Sequence, residues 1–101
     1  MPDRSTLDVL WTDESLKNAV SIKQYLLQKF SEKELDLFYL QLLNFTELIV
    51  VFPKLYPLTN KGTKIRRAVL SKEFSVFYRI KRKHIEILAL IDNRADLSSW
   101  Y

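Results

Sequence analysis

The spacing of apolar residues changes once along the chain, and this change restricts the possible folds more than any other feature of the sequence. In the first half, apolar residues recur at steps of three and four, as on one face of a helix, and the clearest such stripe ends just before Pro53. After Pro57, apolar residues alternate with polar ones, which is typical of strands with one buried face. The stripe comprises Leu35, Phe38, Leu42, Phe45, Ile49 and Phe52. The sequence therefore predicts helices followed by strands.

Local signals divide the first half into a strand and two helices. Residues 7–11 are rich in β-favouring types and predict a short first strand. Thr12 before two acidic residues is typical of a helix start, and Ser31 with Glu34 has the spacing of a capping box. The apolar stripe predicted for the first helix is Leu16, Ala19, Val20, Leu26 and Phe30, with Lys23 as its polar interruption. Since almost no loop separates the helices, they are predicted to form an antiparallel hairpin.

The second half predicts three strands, at residues 65–70, 74–80 and 85–91. Residues 60–62, which contain the one glycine, are predicted to form a turn, and residues 71–73 and 81–84 are short enough for hairpin loops. In the last strand, Ile85, Ile87, Ala89 and Ile91 are predicted to share one face. The sequence thus predicts an α+β fold in a single domain over residues 1–101: an N-terminal strand, an antiparallel helical hairpin, then a three-stranded antiparallel sheet.

The residue types exclude several kinds of chemistry. The chain of 101 residues has no cysteine and one histidine, and it has no nucleotide-binding or calcium motif, so no metal and no cofactor are expected. His84 is expected to be a surface turn residue. Asp92 and Asp96 are expected to be solvated tail residues rather than an acid–base pair. No apolar run is long enough to span a membrane and no signal peptide is evident, so a cytoplasmic location is expected.

Positive charge is concentrated in one segment. Residues 61–83 contain nine basic residues and one acidic residue, whereas the rest of the chain contains seven basic and eleven acidic residues. Such a segment could bind phosphates or an acidic protein, or it could be the solvated side of a sheet. Alternation predicts that Arg67 and Arg79 project to the same side, with Arg66 opposite. The candidate anion- or target-binding residues are Lys64, Arg66, Arg67, Arg79, Arg94 and Trp100. Trp100 and Tyr101 could stack on a base, or they could cover the open end of the sheet.

Three short motifs, in this order of elements, resemble the RelE/ParE toxin superfamily. They are IRR at residues 65–67, VFYRI at residues 76–80 and DNR at residues 92–94. The start at residues 10–12 before a helical hairpin, and Pro53 before the basic strand, are similar as well. The resemblance covers nearly the whole chain. It implies the toxin half of a type II toxin–antitoxin pair, a class linked to plasmid stabilization, with a helical hairpin over an antiparallel sheet.

The superfamily has two branches, and the resemblance leaves both open. One branch cleaves mRNA in the ribosome, whereas the ParE-like branch poisons DNA gyrase without nuclease chemistry. Ser75 stands where many nuclease members place a transition-state arginine, and FYR is common in ParE-like members, so gyrase binding is the prediction. One alternative is a ribosome-dependent, metal-independent mRNA endonuclease, in which Arg66, Arg94 and Tyr101 would be the catalytic residues. The other alternative is a decayed toxin that only binds its antitoxin.

The resemblance also implies a cognate antitoxin with an acidic, disordered C-terminal segment. The helices indicate a binding partner independently of the resemblance, because they carry more apolar residues than one buried face needs. The candidate antitoxin-binding residues lie off the main stripes: Tyr25 and Leu27 on the first helix, and Leu37, Leu40 and Leu48 on the second. An amphipathic segment could cover them while its acidic residues reach the basic segment. A homodimer is the alternative.

Overall fold

A computed structural model describes residues 7–59 and 63–101 of the chain. The elements in chain order are β1 (Asp8–Trp11), α1 (Asp13–Lys29), α2 (Glu32–Val51), β2 (Ile65–Val69), β3 (Phe74–Ile80), β4 (His84–Asp92) and a short 3-10 helix (Ser98–Trp100). The predicted α+β fold is confirmed, with helix and strand boundaries within one residue of those expected. The predicted turn at residues 60–62 lies outside the described residues. Within the described ranges, no helix is long and apolar enough to cross a membrane.

The described strands form one sheet in the order β1-β4-β3-β2. The pairs β2–β3 and β3–β4 are antiparallel, as the hairpin loops predict. β1 joins β4 in parallel, with Val9 opposite Ile85. A parallel pair needs a long crossover connection, and here the crossover contains both helices and the other two strands.

The two helices begin differently. At α1, Thr12 Oγ1 accepts a hydrogen bond from the Ser15 N–H at 3.1 Å, so the predicted cap is present. At α2, the capping-box prediction is wrong: within the described residues, the Ser31 side chain makes no cap hydrogen bond. Only the Ser31 carbonyl joins the helix, accepting from the Leu35 N–H at 3.2 Å. Ser31 is exposed, so water can satisfy the free N–H groups of this first turn.

The apolar stripe of α2 provides the centre of the core. Its members from Leu35 to Ile49 are buried, as predicted, but Phe52 is exposed because α2 ends at Val51. α2 packs on β3 through edge-to-face aromatic pairs, and the Phe45 and Tyr78 rings lie 5.5 Å apart. The Tyr78 hydroxyl donates to the Pro53 carbonyl at 2.8 Å, and burial raises the pKa of Tyr78 to about 12.

The stripe predicted for α1 is partly wrong. Leu26 is buried and Ala19 packs against the core, but Leu16, Val20 and Phe30 are exposed. α1 packs mainly on β4, and the N–H of Leu90 donates to Asn18 Oδ1 at 3.0 Å. This contact turns α1 so that its buried face runs through Ser15, Ile22 and Leu26. Ser15 can be buried because its hydroxyl donates to the Thr12 carbonyl at 2.8 Å.

A bulge in β4 changes which of its side chains reach the core. Phe77 pairs with Ala89 and Tyr78 pairs with Ile87, which leaves Leu88 as the extra residue. Beyond the bulge, Leu90 joins the core, while Ala89 and Ile91 lie on the other face. The prediction that Ala89 and Ile91 share a face with Ile85 and Ile87 is therefore wrong. His84, predicted in a loop, is the first residue of β4.

Candidate functional site

The sheet has a face turned away from the helices, called the outer face below, and it contains two arginines. Ser75, Phe77 and Arg79 project there from β3, since Phe74, Val76 and Tyr78 face the core. Arg67 on β2 pairs with Phe77, so its side chain lies on the same face. Arg67 and Arg79 thus share a side, as the alternation predicts.

Arg67 is the centre of a hydrogen-bonded group, the outer-face cluster, formed by Arg67, Ser75, Asn93 and Tyr101. The Arg67 guanidinium donates to Ser75 Oγ at 3.1 Å, to Asn93 Oδ1 at 3.1 Å and to the Tyr101 hydroxyl at 2.6 Å. The Ser75 hydroxyl donates to the same Asn93 oxygen at 2.5 Å. Since Ser75 is fully buried, these bonds replace those it would make with water.

Asn93 connects the cluster to the hairpin between β2 and β3. Its Nδ2 donates to the carbonyls of Ser71 and Lys72, each at 3.1 Å, and its backbone N–H donates to the Glu73 carbonyl at 2.7 Å. Asn93 was not among the residues predicted for the site, although it is the middle residue of the DNR motif. The signal available was an amide between two charged residues directly after a strand.

The last two residues cover the outer face. Trp100 stacks on Phe77 with ring centroids 4.5 Å apart, and Tyr101 meets Phe77 edge-on at 6.5 Å. Phe77 is therefore fully buried although it lies outside the helix-covered core. The sequence left two roles open for these aromatics, stacking on a base or covering the sheet, and in the structure they cover the sheet.

Carboxylates neutralise two of the candidate arginines. Arg79 pairs with Glu86 at 2.7 Å and Arg94 pairs with Asp92 at 2.6 Å, and hydrogen bonds from these arginines hold the pKa of each carboxylate below its usual range. Asp92 is therefore an ion-pair partner in β4 rather than a solvated tail residue. Arg67 bonds only to neutral acceptors among the described residues, so its charge is left uncompensated on the outer face.

The remaining candidate residues lie elsewhere. Arg66 is on the helix side of the sheet, where its Nη1 donates to the Tyr56 carbonyl at 2.7 Å and more weakly to that of Lys54. Arg94 lies beside α1 and reaches the Tyr25 hydroxyl at 3.3 Å. Lys64, just before β2, is exposed and has a positive φ of 64°.

The residues predicted for the nuclease alternative are therefore not assembled into one site. Arg66 lies on the helix side, Arg94 beside Tyr25, and Tyr101 on the outer face. Within the described chain, no group of three histidine, aspartate or glutamate side chains could hold a metal ion.

The candidate antitoxin-binding residues lie on the helices. Leu27, Leu37, Leu40 and Leu48 are between 39% and 52% exposed, whereas Tyr25 is half-buried. A groove of about 190 Å³ lies at the helical turn and is lined by Tyr25, Phe30, Leu37 and Arg94, among others. Leu16, Val20 and Phe30, which the sequence assigned to the core, add to the exposed apolar surface of α1.

Comparison with known proteins gives matches only in structure. No family model matches the chain, and no curated protein matches it. A chain of the chromosomal ParDE TA system from P. aeruginosa is similar with a TM-score of 0.72 and 16% identity, covering 87% of this chain and 97% of that one. The solution structure of the conserved hypothetical protein HP0894 from Helicobacter pylori has a TM-score of 0.47 and 18% identity, covering 86% of this chain and 94% of that one. The ParDE match confirms the fold that the RelE/ParE resemblance implies.

Proposed function

We propose that this chain is the toxin component of a type II toxin–antitoxin system and that it inhibits growth by binding DNA gyrase through its outer face. Two independent features support the toxin role: the motifs that resemble RelE/ParE toxins and the fold shared with a chain of a ParDE system. The observation that favours binding over cleavage is the separation of Arg66, Arg94 and Tyr101. Metal-free RNA cleavage needs acid–base and charge-stabilising groups around a single phosphate.

The outer face is suited to binding because it is rigid and positively charged. Its aromatic centre, Phe77 under Trp100, is packed, and Arg67 is held by three hydrogen bonds. An arginine that is already ordered loses little conformational entropy when it binds an acidic surface. Exposed bases in the adjoining hairpin turns add long-range attraction for such a target: Lys72, Lys81, Arg82 and Lys83.

One observation favours the mRNA endonuclease as a second candidate. Arg67 donates to Ser75 Oγ, so a guanidinium from the neighbouring strand lies next to the position where the nuclease branch places its arginine. The Tyr101 hydroxyl is 2.6 Å from the same guanidinium. Arg67 and Tyr101 could then supply charge stabilisation and proton transfer without Arg66 or Arg94.

A pulse of expression distinguishes the targets. With gyrase as the target, we expect DNA synthesis to stop before protein synthesis, DNA breaks to induce the SOS response, and the purified protein to inhibit supercoiling in vitro. Codon-specific, ribosome-dependent mRNA cuts that disappear in an Arg67→Ala variant would contradict this proposal and support the endonuclease. Normal growth, together with binding to an antitoxin, would support the decayed toxin.

We also propose that the exposed leucines of both helices bind an antitoxin. A disordered acidic segment that folds on binding loses conformational entropy, and burial of apolar surface offsets this loss. Leu37, Leu40 and Leu48 provide such surface on α2. Acidic residues of the same segment would be attracted by the basic turns of the sheet.

Titration calorimetry of the protein with the product of the neighbouring gene tests this partner at two salt concentrations. We expect the affinity to fall several-fold at the higher salt, because salt screens the attraction between exposed charges. Leu37→Ser with Leu40→Ser should weaken binding, whereas Leu10→Ser, an equally exposed leucine on β1, should not. No binding at either salt concentration, together with a stable dimer by light scattering, would instead support the homodimer.

A further inference from the structure

An apolar patch lies where α2 ends, outside the outer face and apart from the leucines assigned to the antitoxin. Its rim includes the basic turn at residues 81–83, which also adjoins the outer face. Val51, Phe52 and Leu55 are 60%, 57% and 51% exposed. With Pro53, Lys54 and Ile80 they line a shallow groove of about 470 Å³. Val51, Phe52, Leu55 and Ile80 are called the α2-end patch below. Contiguous exposed apolar groups of this kind mark binding surfaces more often than isolated ones do.

The backbone beneath the patch is fixed from the inside. The carbonyls of Pro53 and Tyr56 point inward, where they accept hydrogen bonds from the Tyr78 hydroxyl at 2.8 Å and from Arg66 at 2.7 Å. The Leu55 N–H donates to the Phe52 carbonyl at 3.1 Å and closes the turn. The segment is thus held with Phe52 and Leu55 directed to solvent. A preorganised apolar surface costs a partner little to bind.

The rim of the patch is basic. Lys54 lines the groove, and the exposed Lys81, Arg82 and Lys83 follow Ile80 in the hairpin turn, which is closed by the bond from the Lys81 N–H to the His84 carbonyl. Among the residues that the structure describes, the nearby carboxylates are fewer. Glu47 lies one helical turn before Val51, Asp8 lies opposite His84 on β1, and Glu86 is already paired with Arg79. The rim therefore keeps a net positive charge.

We infer that the α2-end patch is a docking site for an acidic amphipathic segment of a partner protein. Its apolar side chains would cover Phe52 and Leu55, and its carboxylates would pair with Lys54 and the turn at residues 81–83. Charge complementarity favours this occupant over a second copy of the chain, because a self-pairing contact would bring two basic rims together. The inference rests on the patch itself and does not require the proposed gyrase-binding role.

Two labelled synthetic peptides test the inference on the purified protein. Both have leucines on one helical face; one has glutamates at all other exposed positions and the second has lysines there. We expect the glutamate peptide to bind at least about tenfold more tightly and to shift the backbone amide signals of residues 51–55 and 80–83. Both Phe52→Ser with Leu55→Ser, and Lys81→Glu with Lys83→Glu, should weaken it about tenfold or more. The control Leu16→Ser with Val20→Ser changes equally exposed residues of α1 and should leave the affinity unchanged.

Several results would overturn the inference. They are equal affinity for the two peptides, amide shifts confined to α1 and α2 away from residues 51–55, and equal loss of binding in the α1 control. A dimer that dissociates in the Phe52→Ser, Leu55→Ser variant would show that a second copy covers the patch. Binding to vesicles of anionic lipid without binding to the glutamate peptide would assign the patch to a membrane surface. None of these measurements depends on growth inhibition, so they are independent of the proposed function.

Discussion

Replacing Asn93 by alanine is expected to lower the free energy of unfolding by about 2–4 kcal/mol, a large fraction of the stability of a small domain. Asn93 Oδ1 accepts hydrogen bonds from Arg67 and Ser75, and its Nδ2 donates to the carbonyls of Ser71 and Lys72. Alanine removes these four bonds at once. The fully buried Ser75 hydroxyl would lose an acceptor, and an unpaired buried polar group costs about 1–3 kcal/mol.

Urea unfolding followed by circular dichroism measures this change. Asn44→Ala is the matched control, because Asn44 is exposed on α2 and makes no side-chain hydrogen bond within the described residues. It should change the free energy of unfolding by no more than about 0.5 kcal/mol. Asn93→Asp should be intermediate in effect, since it keeps the acceptor for Arg67 but loses both donors. An Asn93→Ala variant as stable as the Asn44→Ala control would show that the cluster does not hold the tail to the sheet.

The helix and strand boundaries could be predicted because each depends on residues close in sequence. Thr12 begins α1 by accepting from a backbone N–H three residues later. α2 ends two residues before Pro53, where a proline ring and its missing N–H prevent a regular helix from continuing. Alternation gave the bounds of β3 without error, because that strand has no bulge of its own.

The bulge at Leu88 and the buried face of α1 could not be predicted, because both depend on residues distant in sequence. The Leu88 carbonyl accepts from Thr12 Oγ1, which is 76 residues away, and the Leu90 N–H donates to Asn18, which is 72 residues away. Nothing near Leu88 signals these contacts. The parallel pairing of β1 with β4 is a similar case, since local alternation does not specify direction.

The same difference between local and distant contacts applies to the candidate site. Side-chain alternation correctly placed Arg67 and Arg79 on one face and Arg66 on the other, because that rule is local to a strand. The partners of these arginines depend on the tertiary structure. Arg79 forms an ion pair with Glu86 of β4, whereas Arg67 bonds to Asn93 and Tyr101 of the C-terminal segment. The sequence therefore identified a basic face but could not show which of its arginines has no carboxylate partner.

Replacing both outer-face arginines by glutamine is expected to relieve growth inhibition and to weaken inhibition of gyrase supercoiling by about tenfold or more. Arg67→Gln with Arg79→Gln removes two positive charges but keeps amide donors for Ser75 and Glu86, so the fold should persist. The loss should come mainly from Arg67, because the charge of Arg79 is already offset by Glu86 at 2.7 Å. Growth after induced expression and a supercoiling assay with purified protein measure the two effects.

The matched control removes the same charge from another surface. Lys17 and Lys23 are exposed on α1, so Lys17→Gln with Lys23→Gln lowers the net charge equally but leaves the outer face unchanged. It should inhibit growth as strongly as the unchanged protein does. Equal relief by both variants would mean that total charge, rather than the outer face, determines activity. Full inhibition by the folded Arg67→Gln, Arg79→Gln variant, with its fold verified by circular dichroism and thermal melting, would show that the target is bound elsewhere on the molecule.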